Sequence, residues 1–298
     1  MSQQTRTFPL SRLHRWLATA LLGLAPTVST AGTITVKGSD TMVLLAQKWA
    51  EVYQEQHPAV SIQVTGGGSG TGIAALINQT CSMANSSREL KGSERKLALS
   101  SGVDVKEFPV ALDAICVVVH KDNPVTELTM EQLASIFIGG VNSWTQVGGR
   151  TGPIVRYSRE NNSGTYAFFK EHVLKNKDYA PDCQTMPGTS AVADAVGNDP
   201  NGIGYGGVAY FLTRSDCRIV RIKAAADKPA VSPVAADGRS IDYARIYSGE
   251  YAISRSLYCY TPGAPKGDAQ AYLAWILGPD GQAIAKEEGY IPLPVSKP

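Results

Sequence analysis

The chain alternates short apolar stretches with longer amphipathic ones, separated by turns of glycine or small polar residues. Residues 33–36 and 61–64 are rich in β-branched side chains, which favours strands. Residues 41–57 carry apolar side chains at a spacing near 3.6, which predicts a helix that ends before Pro58. A second helix is expected from Gly72. Strands that alternate with helices in this way predict an α/β fold with mainly parallel sheets.

The alternation continues to the end of the chain, without an internal repeat or a low-complexity linker. Further strands are expected at 114–119, 154–157, 202–207 and 257–260. Further helices are expected at 128–137, with Thr129 as the N-cap, and at 165–174, 191–196, 269–277 and 282–288. Residues 218–245, which include two prolines, are expected to be irregular.

The first 31 residues have the three-part composition of a secretory signal peptide. A basic start with Arg6, Arg12 and Arg15 precedes an apolar core at 16–25, and small residues lead to Ala31. The core has about 10 residues, whereas a membrane-spanning helix needs roughly 20. We therefore expect export and cleavage near Ala31. The alternative is a buried N-terminal helix.

Cleavage would change the charge of the chain. The 298 residues carry a formal net charge of +2, and the first 31 hold three arginines and no acidic residue. The remaining 267 residues therefore carry −1. A chain so close to neutrality is not expected to bind nucleic acid or an anionic membrane surface.

Five cysteines follow the apolar core, and their spacing suits neither a CxxC motif nor a zinc site. They are Cys81, Cys116, Cys183, Cys217 and Cys259. An oxidising compartment permits disulfides, and the preferred pair is Cys183 with Cys217, because both precede strands expected to be neighbours. The alternative is that all five are small buried side chains.

The glycine-rich stretch GGGSGTG at 66–72 raises the question of a nucleotide site. Residues 70–75 fit the dinucleotide pattern G-x-G-x-x-A, and Glu89 lies where a ribose-binding acid is expected. However, the pattern follows the second strand, and export separates the chain from cytoplasmic dinucleotides. The P-loop lysine is absent, and Thr71 replaces the second glycine of a serine-hydrolase motif around Ser69.

Three strand-to-helix turns favour a small anion instead. They are Ser39-Asp40-Thr41, Ser69-Gly70-Thr71 and the stretch RENNSGT at 159–165. Free N–H groups and the positive end of the helix dipole favour an anion at a helix start. Hydroxyl groups add donors, and Arg159 adds a planar charged donor suited to oxyanions. The alternative is that Ser39, Ser69 and Ser163 merely cap helices, but three turns of this kind favour an anion site.

At these residues the chain resembles the PstS family, the phosphate-binding proteins of bacterial ABC importers. The combination of GGGSGTG with RENNSGT, in this order, is more specific than either motif alone. The resemblance extends over nearly all of the chain that follows Ala31. It is carried by GSDTM (38–42), GGGSGTGIAAL (66–76), SSREL (86–90), ALDAICVVVHKDNP (111–124), LTMEQLASIFIGGVNSW (128–144), RENNSGTYAFF (159–169), NGIGYGG (201–207), YAISRSLYCY (251–260) and GYIPL (289–293).

The resemblance implies a two-lobed periplasmic binding protein fold, in which each lobe is a mixed sheet flanked by helices and crossing strands form the hinge. One lobe would comprise residues 32–112 plus 257–298, and the other residues 113–256. Phosphate would lie between them. The implied contacts are Thr41 and Met42 through the backbone, Ser69 and Gly70, and then Arg159, Ser163, Gly164 and Thr165.

One position departs from the family pattern. Some members place an Asp in the loop that contains Ser87 here, and that Asp accepts the proton of hydrogen phosphate. A carboxylate at such a place also repels sulfate, which has no proton to give. Asp40 is expected to supply it instead, while Asp113 would do so or would brace Arg159. Arg88 is either a ligand or an ion-pair partner.

The implied function is that of a periplasmic solute-binding protein, not an enzyme, without a cofactor or a metal. A monomer would capture inorganic phosphate and deliver it to permease subunits in the inner membrane. The alternatives are binding of another tetrahedral oxyanion, a sensing or surface role, and a secreted phosphatase with the same anion site.

Overall fold

The structure, a computed structural model, describes residues 1–2 and 32–294. Nearly all of the predicted signal peptide, including the cleavage position, lies outside the described residues. The strands are β1 (Thr33–Gly38), β2 (Ser61–Gly67), β3 (Met83–Ser86), β4 (Lys106–His120), β5 (Glu127–Thr129), β6 (Val155–Arg159), β7 (Gln184–Met186), β8 (Gly202–Gly207), β9 (Cys217–Lys223), β10 (Ala230–Val231) and β11 (Ser254–Thr261). The helices are α1 (Val43–Gln56), α2 (Ser69–Ile77), α3 (Gly92–Ser100), α4 (Met130–Phe137), α5 (Gly164–His172), α6 (Thr189–Asn198), α7 (Tyr243–Tyr247), α8 (Gly267–Leu277) and α9 (Pro279–Glu287).

The strands form one mixed sheet flanked by helices, so the α/β prediction is confirmed. Its main path runs β2-β1-β3-β11-β4-β8-β6-β7, and β9 joins β4 to β5 and β10. Among the described residues, five strand pairs are parallel and five are antiparallel. The expectation of mainly parallel pairing is therefore wrong. The reason is that β4 and β11 run against their neighbours, which periodicity along one strand does not reveal.

Strand β4 connects the two ends of the sheet. It is 15 residues long. Its first part, up to Ala114, pairs with β11, and the part from Ile115 to His120 pairs with β8 and β9. Its residues from Ala114 to Val119 are all fully buried, which matches a continuous apolar run. The strand therefore contributes to both halves of the sheet.

The hydrophobic core divides in the same way. One cluster draws its buried residues from 114–253 and Ile291, and two others draw theirs from 34–111 and 257–290. The division falls where β4 and β11 run side by side. The lobe boundaries at residues 112, 113, 256 and 257 stay a prediction.

Aromatic packing fixes the helices that begin at the predicted site. Phe169 of α5 stacks on Tyr205 of β8, with ring centroids 3.8 Å apart, and meets Phe137 edge-on at 5.1 Å. Trp49 of α1 donates its indole N–H to the carbonyl of Gly281 at 2.7 Å. Each aromatic pair of this kind, such as Phe169 with Tyr205, stabilises the fold by about 0.5–1.5 kcal/mol beyond the burial of its rings. These contacts of residues farther along α1 and α5 hold the two helices, and with them their N-termini at the predicted site, in place.

Residues 218–245 differ from the expectation of an irregular segment. Strand β9 occupies Cys217–Lys223 and helix α7 occupies Tyr243–Tyr247. In β9 the buried residues are Val220 and Ile222, with arginines between and before them. Two buried positions among charged ones give a weak alternation, and the pairing with β4, β5 and β10 makes the segment a strand.

The predicted disulfide between Cys183 and Cys217 is contradicted. All five cysteines, which lie within residues 32–294, are free thiols. Cys183 precedes β7, which pairs with β6, whereas Cys217 begins β9, which pairs with β4. The two strands are therefore not neighbours. Burial raises the pKa of the Cys183 thiol and of the Cys217 thiol to about 11.

Within the described part of the chain, no helix combines the length and the apolar character that crossing a membrane requires.

Candidate functional site

The three predicted turns lie together at the carboxyl ends of strands. Strands β1, β2 and β3 are parallel, so the turns that follow them meet at one edge of the sheet. The turn after β6 approaches from the other half of the sheet. We call residues 39–42, 67–71 and 159–165 the three-loop cluster. Its members are joined by direct hydrogen bonds, described below.

Asp40 and Arg159 form an ion pair across the cluster. The Arg159 Nη2 donates to Asp40 Oδ2 at 2.7 Å, and the amide of Gly67 donates to Oδ1, also at 2.7 Å. Arg159 Nη1 donates to the Thr189 hydroxyl at 2.9 Å. Both oxygens of Asp40 are thus engaged, and this carboxylate braces the guanidinium that was predicted to bind the anion.

Asp113 holds a different arginine from the one expected. Arg255 donates to Asp113 Oδ2 from Nε at 3.2 Å and from Nη2 at 2.9 Å. Asp113 is completely buried and Arg255 is 6% exposed. Burial raises the pKa of the Asp113 carboxyl, an effect that the Arg255 guanidinium opposes. The alternative that Asp113 braces Arg159 is wrong, because Asp40 does so.

Two threonines connect this second pair to the cluster. The hydroxyls of Thr41 and Thr165 lie 2.7 Å apart, across 124 residues of sequence. Arg255 Nη2 donates to Thr165 Oγ1 at 2.9 Å and lies 3.4 Å from Thr41 Oγ1. Asp113, Arg255, Thr41 and Thr165 therefore form one hydrogen-bonded group.

The loop that contains Ser87 also reaches the cluster. The amide of Ser87 donates to Ser69 Oγ at 3.1 Å, and the two hydroxyls are 3.3 Å apart. Gly164 lies directly against both, and a methyl group on its Cα would collide with the Ser69 and Ser87 hydroxyls. The predicted residues Ser69, Ser87 and Gly164 are therefore in mutual contact.

The capping interpretation holds for one of the three serines. Ser163 Oγ accepts from the amides of Thr165 and Tyr166 and so caps α5. Ser39 and Ser69, by contrast, make no side-chain cap to their helices in the described structure. Ser69 is the first residue of α2 rather than the residue before it. The hydroxyls of Ser39 and Ser69 are thus not needed to start a helix.

The turn at Asp40–Met42 is held by two tyrosines. The Tyr210 hydroxyl donates to the Asp40 carbonyl at 2.5 Å, and the Tyr290 hydroxyl donates to the Thr41 carbonyl at 2.6 Å. The Met42 amide donates to the Ser39 carbonyl at 3.0 Å. A backbone contact from Met42 to an anion would compete with this bond, so that contact stays a prediction.

Asn162 ties the glycine-rich loop to the loop after β6. Its side-chain N–H₂ donates to the Gly67 carbonyl at 2.9 Å and to the Thr71 hydroxyl at 3.2 Å. The backbone carbonyl of Asn162 accepts from the Gly70 amide at 2.8 Å. Gly68 has φ +88°, and a side chain there would meet the Asn162 carbonyl at 2.8 Å. This close approach explains the glycine at position 68, and a side chain at Gly70 would likewise lie 3.2 Å from the Asn162 carbonyl.

Arg88 is engaged elsewhere. It donates to both carboxylate oxygens of Glu94, at 2.8 and 2.6 Å, and to the Glu89 carbonyl at 2.8 Å. This geometry fits the ion-pair alternative of the sequence analysis. Arg88 also lines a cavity of about 550 Å³ that reaches Arg255 and Phe168.

Several contributors are not among the residues predicted from the sequence, including Thr189, Asn162 and Arg255. A signal existed for Arg255, which stands in the quoted stretch YAISRSLYCY beside a strand of apolar residues. A charge in such a strand indicates a buried partner. That partner, Asp113, is 142 residues away.

The site has two buried arginines and two carboxylates, so its formal charge is zero. Within the described residues, no group of three or more His, Cys, Asp or Glu side chains is placed to hold a metal ion. The arrangement instead offers guanidinium and hydroxyl groups as hydrogen-bond donors, within a group of side chains whose net charge is zero. Such a set suits a small oxyanion, which accepts hydrogen bonds on every side.

Comparison with known proteins agrees with this geometry. A family model described as the PBP superfamily domain matches residues 25–280. The phosphate-binding protein PstS of Pseudomonas aeruginosa strain PAO1 is 35% identical over 283 residues, which cover 89% of this chain and 84% of that protein. The protein of the same name from Bacillus subtilis strain 168 is 28% identical over 267 residues, which cover 88% and 81%.

Solved structures give the same result. A candidate phosphate ABC transporter substrate-binding protein from Clostridium perfringens, solved with bound phosphate, is similar with a TM-score of 0.76 and 27% identity, covering 88% of this chain and all of that one. An ABC-type phosphate transport receptor from Vibrio cholerae gives 0.68 and 26%, with the same coverage. The fold, the three-loop cluster and these similarities lead to one conclusion: the chain belongs to the PstS family of phosphate-binding proteins, within the PBP superfamily.

Proposed function

We propose that this protein is a periplasmic solute-binding protein that captures inorganic phosphate between the two halves of its sheet and delivers it to an ABC-type importer. The observation that carries the proposal is the three-loop cluster. It brings Arg159, Ser69, Ser163 and Thr165 together from turns that are far apart in sequence. The names of the relatives, and the phosphate bound in the Clostridium perfringens structure, support inorganic phosphate as the ligand.

Hydrogen bonds rather than excess positive charge would supply the affinity. The arginines are already paired with carboxylates, at 2.7 Å for Arg159 and 2.9 Å for Arg255. Arginine remains charged when paired, so each guanidinium can still donate to an anion through its other N–H groups. In a buried site each such donor counts for more than in water, because the local dielectric is low.

The finer parts of the proposal concern location and partners. Cleavage near Ala31 would release the mature chain into the periplasm, and it would act there as a monomer. Its partners would be permease subunits in the inner membrane. The relatives are named as binding or transport proteins, which supports a role without catalysis.

Calorimetry with inorganic phosphate tests this function on the chain that begins at Gly32. We expect one site per chain, and phosphate at 100 times its Kd should raise the Tm by about 5 °C or more. Phosphate that neither binds nor shifts the Tm would contradict the proposal. Steady release of phosphate from p-nitrophenyl phosphate by the purified protein would instead favour a phosphatase.

A further inference from the structure

The Arg255 guanidinium packs against an aromatic ring at the edge of the site. Its Cζ lies 5.3 Å from the centroid of the Phe168 ring, within the range of a cation–π contact. Its Nε and Nη2 donate to Asp113 and Thr165. Its Nη1 is also buried but has no hydrogen-bond partner among residues 32–294. Arg255 therefore keeps one donor available for an anion.

The cavity of about 550 Å³ adjoins this contact. Phe168 and Arg255 both line it, and its opposite wall is formed by residues 88–92. Lys91 and His172, which also line the cavity, are exposed, so water can enter from the surface. Arg255 is nevertheless only 6% exposed and Phe168 only 8%. The Phe168 ring thus limits the contact between the guanidinium and water in the cavity.

Keeping water from Arg255 strengthens its hydrogen bonds. Burial lowers the pKa of the guanidinium, an effect that the Asp113 carboxylate opposes, and arginine remains charged. A charged donor contributes more in a low dielectric than in water. Phe168 lies one turn after Thr165 on α5, so the same helix supplies both the ring and a hydroxyl that contact Arg255.

A second ring holds Phe168 in place. The imidazole of His172, one turn farther along α5, stacks on it with ring centroids 3.9 Å apart and planes inclined by 18°. His172 Nδ1 also lies 3.1 Å from the Phe168 carbonyl oxygen. The orientation of the Phe168 ring is therefore fixed within its own helix.

We propose that Phe168 is a positioning residue of the phosphate site, which holds the Arg255 guanidinium in place and seals it from the cavity. This inference rests on the proposed function. Phe168 acts on phosphate through Arg255 and does not touch the anion. Both residues fall within 113–256, the range predicted as one lobe. Their contact would therefore persist when the loops separate, and Arg255 would be preorganised before phosphate arrives.

The substitution Phe168→Leu tests this role, because leucine is apolar but lacks the π face and the full extent of the ring. We expect the phosphate Kd to rise about fivefold to 10-fold, whereas Phe168→Tyr, which keeps the ring, should change it less than about twofold. Tyr258→Leu is the matched control, since Tyr258 lines the same cavity and is also 8% exposed. It should leave the Kd within about twofold of wild type. Calorimetry measures all four proteins.

A double-mutant cycle separates positioning from a general structural effect. The background is Asp113→Asn combined with Arg255→Gln, which removes both buried charges. If Phe168 acts through Arg255, Phe168→Leu should change the phosphate Kd less than about twofold in this background. An equal factor in both backgrounds would overturn the proposal. Should Phe168→Leu fail to fold, Phe168→Met, with a flexible apolar side chain, takes its place.

Hydrogen exchange of the Arg255 Nε–H, followed by NMR in the absence of phosphate, measures the seal directly. We expect exchange about 10-fold or more faster in Phe168→Leu than in wild type, with the Arg159 Nε–H changed less than about twofold. Unchanged exchange at Arg255 would overturn the proposal even if phosphate binds normally. A wild-type protein that does not bind phosphate would instead refute the proposed function.

Discussion

Arg159 and Arg255 are both buried in the site, but different neighbours fix them. Arg159 is held between Asp40 and Thr189, each at less than 3 Å. Arg255 is held by Asp113 and lies over the Phe168 ring, 5.3 Å from its centroid. Residue by residue, the site therefore contains two braced guanidinium groups, and the carboxylates orient them as well as balancing their charge.

The substitution Arg159→Ala should remove the charged donor and leave Asp40 with one partner fewer. We expect phosphate affinity to fall by about 2–4 kcal/mol, or roughly 30- to 1,000-fold in Kd. Calorimetry measures the loss, and a retained cooperative thermal transition shows that the fold survives. Arg150, which is exposed and lies 3.4 Å from Asn201, provides the control Arg150→Ala. A Kd that is equal in both variants would remove Arg159 from the site.

At the scale of elements, α3 shows how an ion pair can stabilise structure near the site without belonging to it. The Glu94 carboxylate accepts from Arg88 and from the Lys91 amide at 2.9 Å, at the start of the helix. Burial by itself raises the pKa of Glu94, but the hydrogen bonds from Arg88 and Lys91 outweigh it, and the net pKa is lowered. The pair therefore fixes the loop after β3 that contains Ser87.

This shift gives the pair a defined pH dependence. The folded-state pKa lies below the ordinary value of 4.5, so the stabilisation is complete above that value and is lost as the pH falls through the folded-state pKa. At pH 7, Glu94→Gln should lower the free energy of unfolding by about 1–2 kcal/mol. The difference from wild type should shrink below pH 4, as urea unfolding would measure. If the difference in unfolding free energy between Glu94→Gln and wild type does not depend on pH, the ion pair is contradicted. If Glu94→Gln changes the phosphate Kd by more than about threefold, Arg88 contributes to phosphate binding.

The elements themselves were predictable to the extent that their signals are local. Thr129 caps α4, as expected, because the cap is read from adjacent residues. The strand–turn–helix order around Ser69 and Ser163 is likewise local. Helix α3 was missed, since its leucines Leu97 and Leu99 are exposed and give no apolar face.

The pairing of strands that are far apart in the sequence cannot be predicted from sequence patterns, for a physical reason. The register that sets Arg255 opposite Asp113 depends on β11 pairing with β4, over a separation of 142 residues. A period within one strand predicts which side chains face the core, but not which strand lies beside it. The same limit explains the wrong partner given to Asp113 and the wrong neighbours given to Cys183.

For the whole molecule, the site is also a junction between its two halves. Thr41 meets Thr165, Asp40 meets Arg159, and Asn162 meets the glycine-rich loop through three hydrogen bonds. An anion surrounded by these contacts cannot leave unless they separate. If phosphate binds in this cluster as proposed, we expect its exchange to require the loop after β6 to move away from the loops after β1 and β2, as hinge bending between two lobes would allow.

Asn162→Ala should reveal this junction in the kinetics of release. The substitution removes the side-chain bonds to Gly67 and Thr71 but leaves the backbone bond from Gly70, so the closed form should be weakened by about 1–1.5 kcal/mol. Dissociation of labelled phosphate should accelerate about 10-fold, while the association rate, which reports the open form, should change less than about twofold. Asn198→Ala is the control, because the Asn198 side chain donates within its own helix, to the Asp194 carbonyl at 2.8 Å, and makes no other hydrogen bond among residues 32–294. Rapid filtration measures both rates. If release is as slow in Asn162→Ala as in the control, these contacts do not hold the molecule closed around its ligand.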